Sequence, residues 1–190
     1  MIKYKAIVMG VSAGGLKALL ELFSVLPGNF SIPVMVTQHL HPDDDGSLAE
    51  ILSLKSFLKI VEATDKMPIT PGTVYLAPPN YHLLIERNGT LALSKDQKTN
   101  YSRPSIDVMF ETAAYAYGDE LIGIILTGAN NDGSAGISLI KDFGGLTIAQ
   151  DPATAEFPAM PEFTIATGKI DKIFSLEEIS KYLKSIAETI

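Results

Sequence analysis

Cysteine is absent from the 190 residues of this sequence. A chain without cysteine forms no disulfide, carries no thiolate nucleophile and offers no sulfur ligand to zinc. If the protein is an enzyme that works through a covalent intermediate, its nucleophile must therefore be an oxygen or a nitrogen.

Positive charge and long apolar runs are also scarce. The chain has 15 Lys and Arg against 22 Asp and Glu, and its formal charge of -7 has the wrong sign for binding nucleic acid phosphates. The first apolar run, residues 6–9, ends at Gly10 and is too short for a signal peptide or a membrane span. We therefore expect a cytoplasmic protein that binds no nucleic acid and is not inserted in a membrane.

The sequence does contain enough apolar residues to build a substantial core. Hydrophobic residues make up 46% of the chain, and the 15 glycines and 11 prolines are spread along it as they are in turns between short elements. The length is typical of one domain. We predict a single domain that covers residues 1–190.

Apolar runs alternate with segments of helical periodicity along most of the chain. The predicted strands are residues 5–9, 33–37, 73–76, 121–126 and 146–149, and the predicted helices are residues 16–26, 47–54, 106–117, 136–143 and a terminal helix capped by Ser175 and Glu178. Residues 82–85 and 91–93 flank Asn88-Gly89, a pair typical of hairpin turns. The pattern predicts an α/β fold with a doubly wound, mostly parallel sheet, helices on both faces and an antiparallel hairpin.

The turn after the first predicted strand contains a candidate nucleophile. Residues 10–14 match the pattern G-x-S-x-G, in which small neighbours allow a sharp turn that exposes the oxygen of Ser12. The N-terminus of the next helix adds backbone donors for a developing oxyanion, and the N–H of Ala13 is the first of them. The alternative is a glycine turn that binds phosphate or a nucleotide without catalysis.

A base and an acid follow two further strands. His39 ends the second predicted strand beside the one that presents Ser12, whereas His41 and His82 are expected to be solvated loop or hairpin histidines. Asp132 lies just past the most strand-like run, where it can orient a histidine or cap the helix that follows it. The chain order serine, histidine, aspartate differs from that of the α/β-hydrolases, so we expect a different fold with similar chemistry.

These segments together resemble the catalytic domain of the chemotaxis protein-glutamate methylesterases. The shared motifs are G-[AV]-S-x-G-G at residues 10–15, Q-H at residues 38–39 and L-T-G-x-x-x-D-G at residues 126–133. The resemblance implies a triad of Ser12, His39 and Asp132, with the N–H groups of Ala13 and Ala129 binding the oxyanion. It also implies hydrolysis of glutamyl methyl esters on the cytoplasmic helices of methyl-accepting chemotaxis receptors, with release of methanol, and a related deamidation of receptor glutamines. No cofactor and no metal are expected.

The sequence departs from the pattern of that family in two respects. Threonine often follows the nucleophile and methionine often follows L-T-G in the family, whereas this chain has Ala13 and Ala129. The family commonly carries a phosphorylated receiver domain before the catalytic part, and the 190 residues predict none. We therefore expect activity that does not depend on phosphorylation of this chain, with a separate receiver protein as the alternative source of control. Arg103 is expected to brace a loop rather than to contact the receptor.

Overall fold

The computed structural model describes residues 3–40, 43 and 47–187 and contains one parallel sheet and one hairpin. The strands of the sheet are β1 (Ala6–Val11), β2 (Val34–Gln38), β3 (Lys59–Glu62), β4 (Thr73–Leu76), β7 (Leu121–Ile125), β8 (Leu146–Gln150) and β9 (Lys172–Phe174), and the hairpin consists of β5 (His82–Ile85) and β6 (Leu91–Ser94). The order across the sheet is β3-β4-β2-β1-β7-β8-β9, and each neighbouring pair is parallel. The hairpin pairs antiparallel.

Helices cover both faces of the sheet. They are α1 (Gly15–Val25), α2 (Leu48–Ser53), α3 (Ile106–Tyr117), α4 (Ser134–Asp142), α5 (Ala159–Ala166) and α6 (Leu176–Ala187). Alternate side chains of β1 point to opposite faces: Ile7 and Met9 join the core under α1, α2 and α6, and Ala6 and Val8 join the core under α3, α4 and the hairpin. The predicted fold class is confirmed.

The chain reverses its direction of travel across the sheet between β1 and β7. The elements after β1 build the side that contains β2, β4 and β3, and the elements after β7 build the side that contains β8 and β9. In open parallel sheets the crevice at such a reversal, beyond the carboxyl ends of the strands, is the usual place for a site. Ser12 and His39 lie at this edge because each follows one member of the register pair Val11 and Gln38.

Two strands and one α-helix of the structure were absent from the prediction. Strand β3 lies at the sheet edge and is only four residues long, with charged Lys59 and Glu62 at its ends, and β9 has three residues. Helix α5 contains Pro161, which the first turn of a helix tolerates but which in a sequence suggests the end of a helix.

Within residues 3–40 and 47–187, no helix combines the length and the apolarity that crossing a membrane requires.

Candidate active site

The turn between β1 and α1 is shaped by two glycines and by a hydrogen bond to the loop that follows β7. Gly14 has a left-handed conformation with φ of 76°, which favours glycine. A Cβ on Gly15 would collide with the side chains of Gln38 and Val11, so a larger residue at this position would force one of them to move. The N–H of Ser12 donates to the carbonyl of Thr127 at 3.0 Å. This backbone hydrogen bond therefore fixes the position of Ser12, and the side chain lies at the carboxyl edge of the sheet.

His39 links the serine to the aspartate through its two ring nitrogens. Its Nδ1 lies 3.1 Å from Oγ of Ser12, and its Nε2 lies 2.8 Å from Oδ2 of Asp132. The histidine side chain is 13% exposed and that of the aspartate is completely buried. The structure thus brings together the three side chains that the sequence nominated, across 27 and 93 residues of chain.

Asp132 is surrounded by hydrogen-bond donors. Besides His39, its carboxylate accepts hydrogen bonds from the Ser105 hydroxyl, the Asn100 amide and the N–H groups of Ile106 and Asp107, at distances of 2.7 to 3.2 Å. Burial alone would raise the pKa of this carboxyl, but the hydrogen bonds from His39, Asn100 and Ile106 outweigh it and hold the pKa below its usual value. Asp132 is therefore an ionised acceptor suited to orienting a histidine.

The N–H groups of Ala13 and Ala129 are available to a ligand. Among the described residues, neither of them donates a hydrogen bond to another part of the protein. Ala13 immediately precedes the left-handed Gly14 at the start of α1, where the helix dipole favours negative charge. Backbone donors at such a position can stabilise an oxyanion whatever side chain the residue carries.

Sequence reasoning missed several residues that support the acid. Asn100 donates to Asp107 at 2.8 Å and to Asp132 at 3.0 Å, and so bridges two carboxylates. Ser105 donates to Asp132 through its hydroxyl at 2.9 Å. No pattern in the sequence indicated that the serine and the backbone of residues 103–107, R-P-S-I-D, would contact Asp132.

The expectation for His82 was wrong. Its side chain is buried rather than solvated, with 1% of the residue exposed. Nδ1 accepts the N–H of Ser105 at 3.2 Å and Nε2 lies 3.1 Å from the carbonyl of Gln97, so the ring supports the segment that contacts Asp132. His41 lies outside the described residues.

Arg103 braces the neighbouring loop, as the sequence analysis predicted. Its guanidinium donates twice to Oδ1 of Asn80, at 2.6 and 3.1 Å, and also to the carbonyls of Lys95 and Asp96. These contacts engage all three guanidinium nitrogens. The role of Arg103 in the structure is therefore to hold the loop that leads to Asn100.

A groove of about 690 Å³ opens beside Ser12. Its wall includes the apolar side chains of Leu16, Leu20, Leu40 and Ile51 and the charged side chains of Lys17, Lys55 and Glu156. Within the described residues, no group of three or more His, Asp or Glu side chains is placed to hold a metal ion.

The parallel fold and the serine, histidine and aspartate at its carboxyl edge define a serine hydrolase that is not an α/β-hydrolase. Residues 7–183 match the family described as CheB methylesterase, and the chain belongs to this family. The predicted resemblance is thereby confirmed.

Relatives and a solved structure support the same assignment. The chain is 49% identical over 178 residues to a Leptospira interrogans protein, covering 94% of this chain and 92% of that one. It is 33% identical over 176 residues to the protein-glutamate methylesterase/protein-glutamine glutaminase of Clostridium acetobutylicum, covering 93% of this chain and 51% of that one. The crystal structure of the Thermotoga maritima CheB methylesterase catalytic domain matches with a TM-score of 0.92 and 36% identity, over 96% of this chain and 98% of that chain. The chain thus spans nearly the whole Leptospira protein and about half of the Clostridium protein.

Proposed function

We propose that this chain is a protein-glutamate methylesterase in which Ser12, His39 and Asp132 form the catalytic triad. The observation that carries the proposal is the continuous path of hydrogen bonds from Oγ of Ser12 through both nitrogens of His39 to the buried Asp132. The path lies in a chain of the CheB methylesterase family. A module that only bound phosphate at the glycine turn would need neither His39 nor Asp132, and this alternative has no support from the relatives described above.

The proposed reaction proceeds in two halves through an acyl-enzyme. Oγ of Ser12 attacks the ester carbonyl while Nδ1 of His39 takes the hydroxyl proton, and the N–H groups of Ala13 and Ala129 bind the oxyanion. The histidine then gives this proton to the departing methoxy oxygen, and methanol leaves. Water attacks the acyl-enzyme with His39 again as the base, which releases the glutamate carboxylate and restores Ser12. The same steps on a glutamine side chain release ammonia, and neither reaction needs a cofactor.

The substrates in this proposal are the cytoplasmic helices of methyl-accepting chemotaxis receptors, which places the chain in the cytoplasm. The groove beside Ser12 is suited to an amphipathic helix, because Leu16, Leu20 and Ile51 can receive an apolar stripe. Lys17 and Lys55 stand in the same wall and complement acidic neighbours of the esterified glutamate. We further propose that residues 1–190 act as a single catalytic domain.

Labelling with a serine-directed fluorophosphonate tests the proposed function at the nucleophile. Labelling followed by mass mapping is expected to find the adduct on Ser12, and Ser12→Ala should remove it. Ser24, at the far end of α1, is the matched control, because Ser24→Ala leaves the site untouched. A chain that takes up no label and releases no methanol from methylated receptor fragments would support a binding module instead.

A further inference from the structure

Asn130 contacts the proposed base directly, and its side-chain orientation is set by the backbone. Oδ1 of Asn130 accepts the N–H of Asp132 at 3.0 Å. An amide nitrogen in the place of Oδ1 would face that N–H as a second donor, so the oxygen and the nitrogen of the side chain cannot be exchanged. Nδ2 of Asn130 is thereby directed at Nδ1 of His39, which lies 3.1 Å away.

This contact and the contact with Asp132 agree on where the ring of His39 carries its proton. Nδ1 faces two groups, the amide of Asn130 and the hydroxyl of Ser12, each at 3.1 Å. The amide nitrogen of an asparagine can only donate, so Nδ1 must be the unprotonated nitrogen. Nε2 then carries the hydrogen and donates it to Asp132 at 2.8 Å. An unprotonated Nδ1 is the form of the ring that can take the proton of Ser12.

We infer that Asn130 is a positioning residue that keeps Nδ1 of His39 unprotonated and turned toward Ser12. The inference rests on the proposed function, because it assigns to Asn130 a role in preparing the base of that reaction. Asp132 holds the ring from the Nε2 side and Asn130 holds it from the Nδ1 side. A pair of opposite constraints fixes the tautomer and the rotation of the ring more firmly than the aspartate does alone.

Asn130 could instead serve only to form the turn that precedes Asp132. This role and the positioning of His39 predict different effects of Asn130→Asp. The hydrogen bond from the N–H of Asp132 to Oδ1 of Asn130 forms a turn that aspartate can form equally well. If the turn were the whole role, Asn130→Asp would be tolerated and Asn130→Ala would be the more damaging change. If Asn130 positions the base, Asn130→Asp replaces the donor with an acceptor that holds a proton on Nδ1 and blocks transfer from Ser12. The shape of the side chain is the same in both cases, so only the direction of the hydrogen bond differs.

The experiment compares Asn130→Asp, Asn130→Ala and Asn131→Asp in methanol release from methylated receptor fragments. Asn131 is exposed, its side chain makes no hydrogen bond in the described part of the chain, and its substitution adds the same charge to the same loop. We expect Asn130→Asp to lower kcat by about 100-fold or more with little change in KM, since a ring whose Nδ1 already carries a proton cannot accept the proton of Ser12, and loss of the working form of the histidine costs about 10⁴ in a serine protease triad. Asn130→Ala should lower kcat by about 3- to 10-fold, because Asp132 still orients the ring. Asn131→Asp should keep the parental kcat.

Nitrogen NMR of labelled histidine reads the tautomer without reference to turnover. The His39 signals, assigned by their loss in His39→Ala, should show an unprotonated Nδ1 in the parent chain and in Asn131→Asp, and a protonated Nδ1 in Asn130→Asp. Parental kcat in either Asn130 variant, or a protonated Nδ1 in the parent chain, would overturn the inference. If Asn130→Asp does not fold, Asn130→Ala and the parental spectrum still decide. Failure of the proposed function can be distinguished from failure of this inference. If the proposed function is wrong, Ser12→Ala keeps the parental turnover.

Discussion

Asp107 and Asp132 cap each other's helices. Asp107 belongs to α3 and caps α4, whereas Asp132 precedes α4 and caps α3. Asp107, in the first turn of α3, accepts the N–H of Gly136 in α4 at 2.7 Å. Asp132, just before α4, accepts the N–H groups of Ile106 and Asp107 in α3 at 2.7 and 3.2 Å. The sequence analysis considered Asp132 as a cap of the helix that follows it, whereas the structure places it at the N-terminus of the other helix.

The exchange of caps ties the acid of the proposed triad to the packing of α3 against α4.

The pKa values of the two carboxyls are shifted in opposite directions. Burial raises the pKa of Asp107, and the nearby charge of Asp132 adds to this effect, although the N–H of Gly136 opposes it. For Asp132 the donors outweigh burial and the pKa is lowered. Asp132 is therefore the member of the pair that stays ionised as the pH falls.

Asp132→Asn should impair both catalysis and stability. Turnover is expected to fall about 10²- to 10⁴-fold, because an amide can favour the wrong tautomer of His39. The free energy of unfolding should fall by about 1–3 kcal/mol, because the amide NH₂ group faces buried donors that the carboxylate accepted. Methanol release and urea denaturation measure the two effects. Unchanged turnover with lowered stability would reduce Asp132 to a helix cap.

The stability loss from Asp132→Asn should depend on pH. The folded protein holds the pKa of Asp132 below the usual value of 3.8. Its contribution is therefore complete above the unfolded pKa and is lost as the pH falls through the folded pKa. The gap between parent and variant should be widest near pH 7, should begin to narrow as the pH approaches the unfolded pKa, and should close only below the lower pKa of the folded protein. Asp142→Asn, at an exposed ion pair with Lys169, is the control and should show a small gap.

Ser12→Ala should remove hydrolysis while the protein stays folded. The anchoring hydrogen bond from the Ser12 N–H to Thr127 belongs to the backbone and survives the change. Within the described residues, the hydrogen bond of the Ser12 side chain is the one to His39, so the melting temperature should change little. We expect turnover to drop at least about 10³-fold. Methanol release and thermal unfolding, with Ser24→Ala alongside, give the comparison; parental turnover in Ser12→Ala would end the serine hydrolase assignment.

His39→Ala should cost nearly as much turnover as Ser12→Ala, and the double variant little more. In the proposed mechanism His39 acts only by moving the proton of Ser12, to which its Nδ1 is hydrogen-bonded. Residues that act as one unit have non-additive effects on kcat. The measurement is kcat for the two single variants and the double variant on one receptor fragment. Losses that multiply would show that His39 has a separate role, such as binding the substrate.

Acetyl phosphate should not change the turnover of the 190-residue chain. The described residues leave the groove beside Ser12 open, and we expect no closed population for a phosphoryl group to shift. Methanol release by the purified chain is measured with and without the phosphodonor, and then with candidate receiver proteins added. Negligible basal turnover that a phosphorylated receiver restores would show instead that control is supplied by a separate protein.

Local patterns were sufficient to predict most of the fold and to nominate the three residues of the proposed triad. Strand β4 and helix α3 have the predicted bounds, because apolar periodicity there is undisturbed by Gly or Pro. The capping box before α6 is also confirmed, with Ser175 and Glu178 exchanging hydrogen bonds at 2.8 and 3.3 Å. Parallel strands end at one edge, so residues in the loops that follow β1, β2 and β7 could be expected to meet without knowledge of the packing.

The order of the chain by itself determined that a serine, a histidine and an aspartate would reach one edge of a parallel sheet. It could not determine that Asp132 would cap α3, that His82 would be buried beneath Ser105, or that Asn130 would face His39. Asp132 lies 26 residues from Ile106, and Asn130 lies 91 residues from His39. Contacts over such separations depend on how α3 and α4 pack on the sheet. A buried carboxylate or imidazole ring needs hydrogen-bond partners, and the packing of the helices decides which groups are near enough to serve. These contacts were therefore decided by the tertiary structure alone.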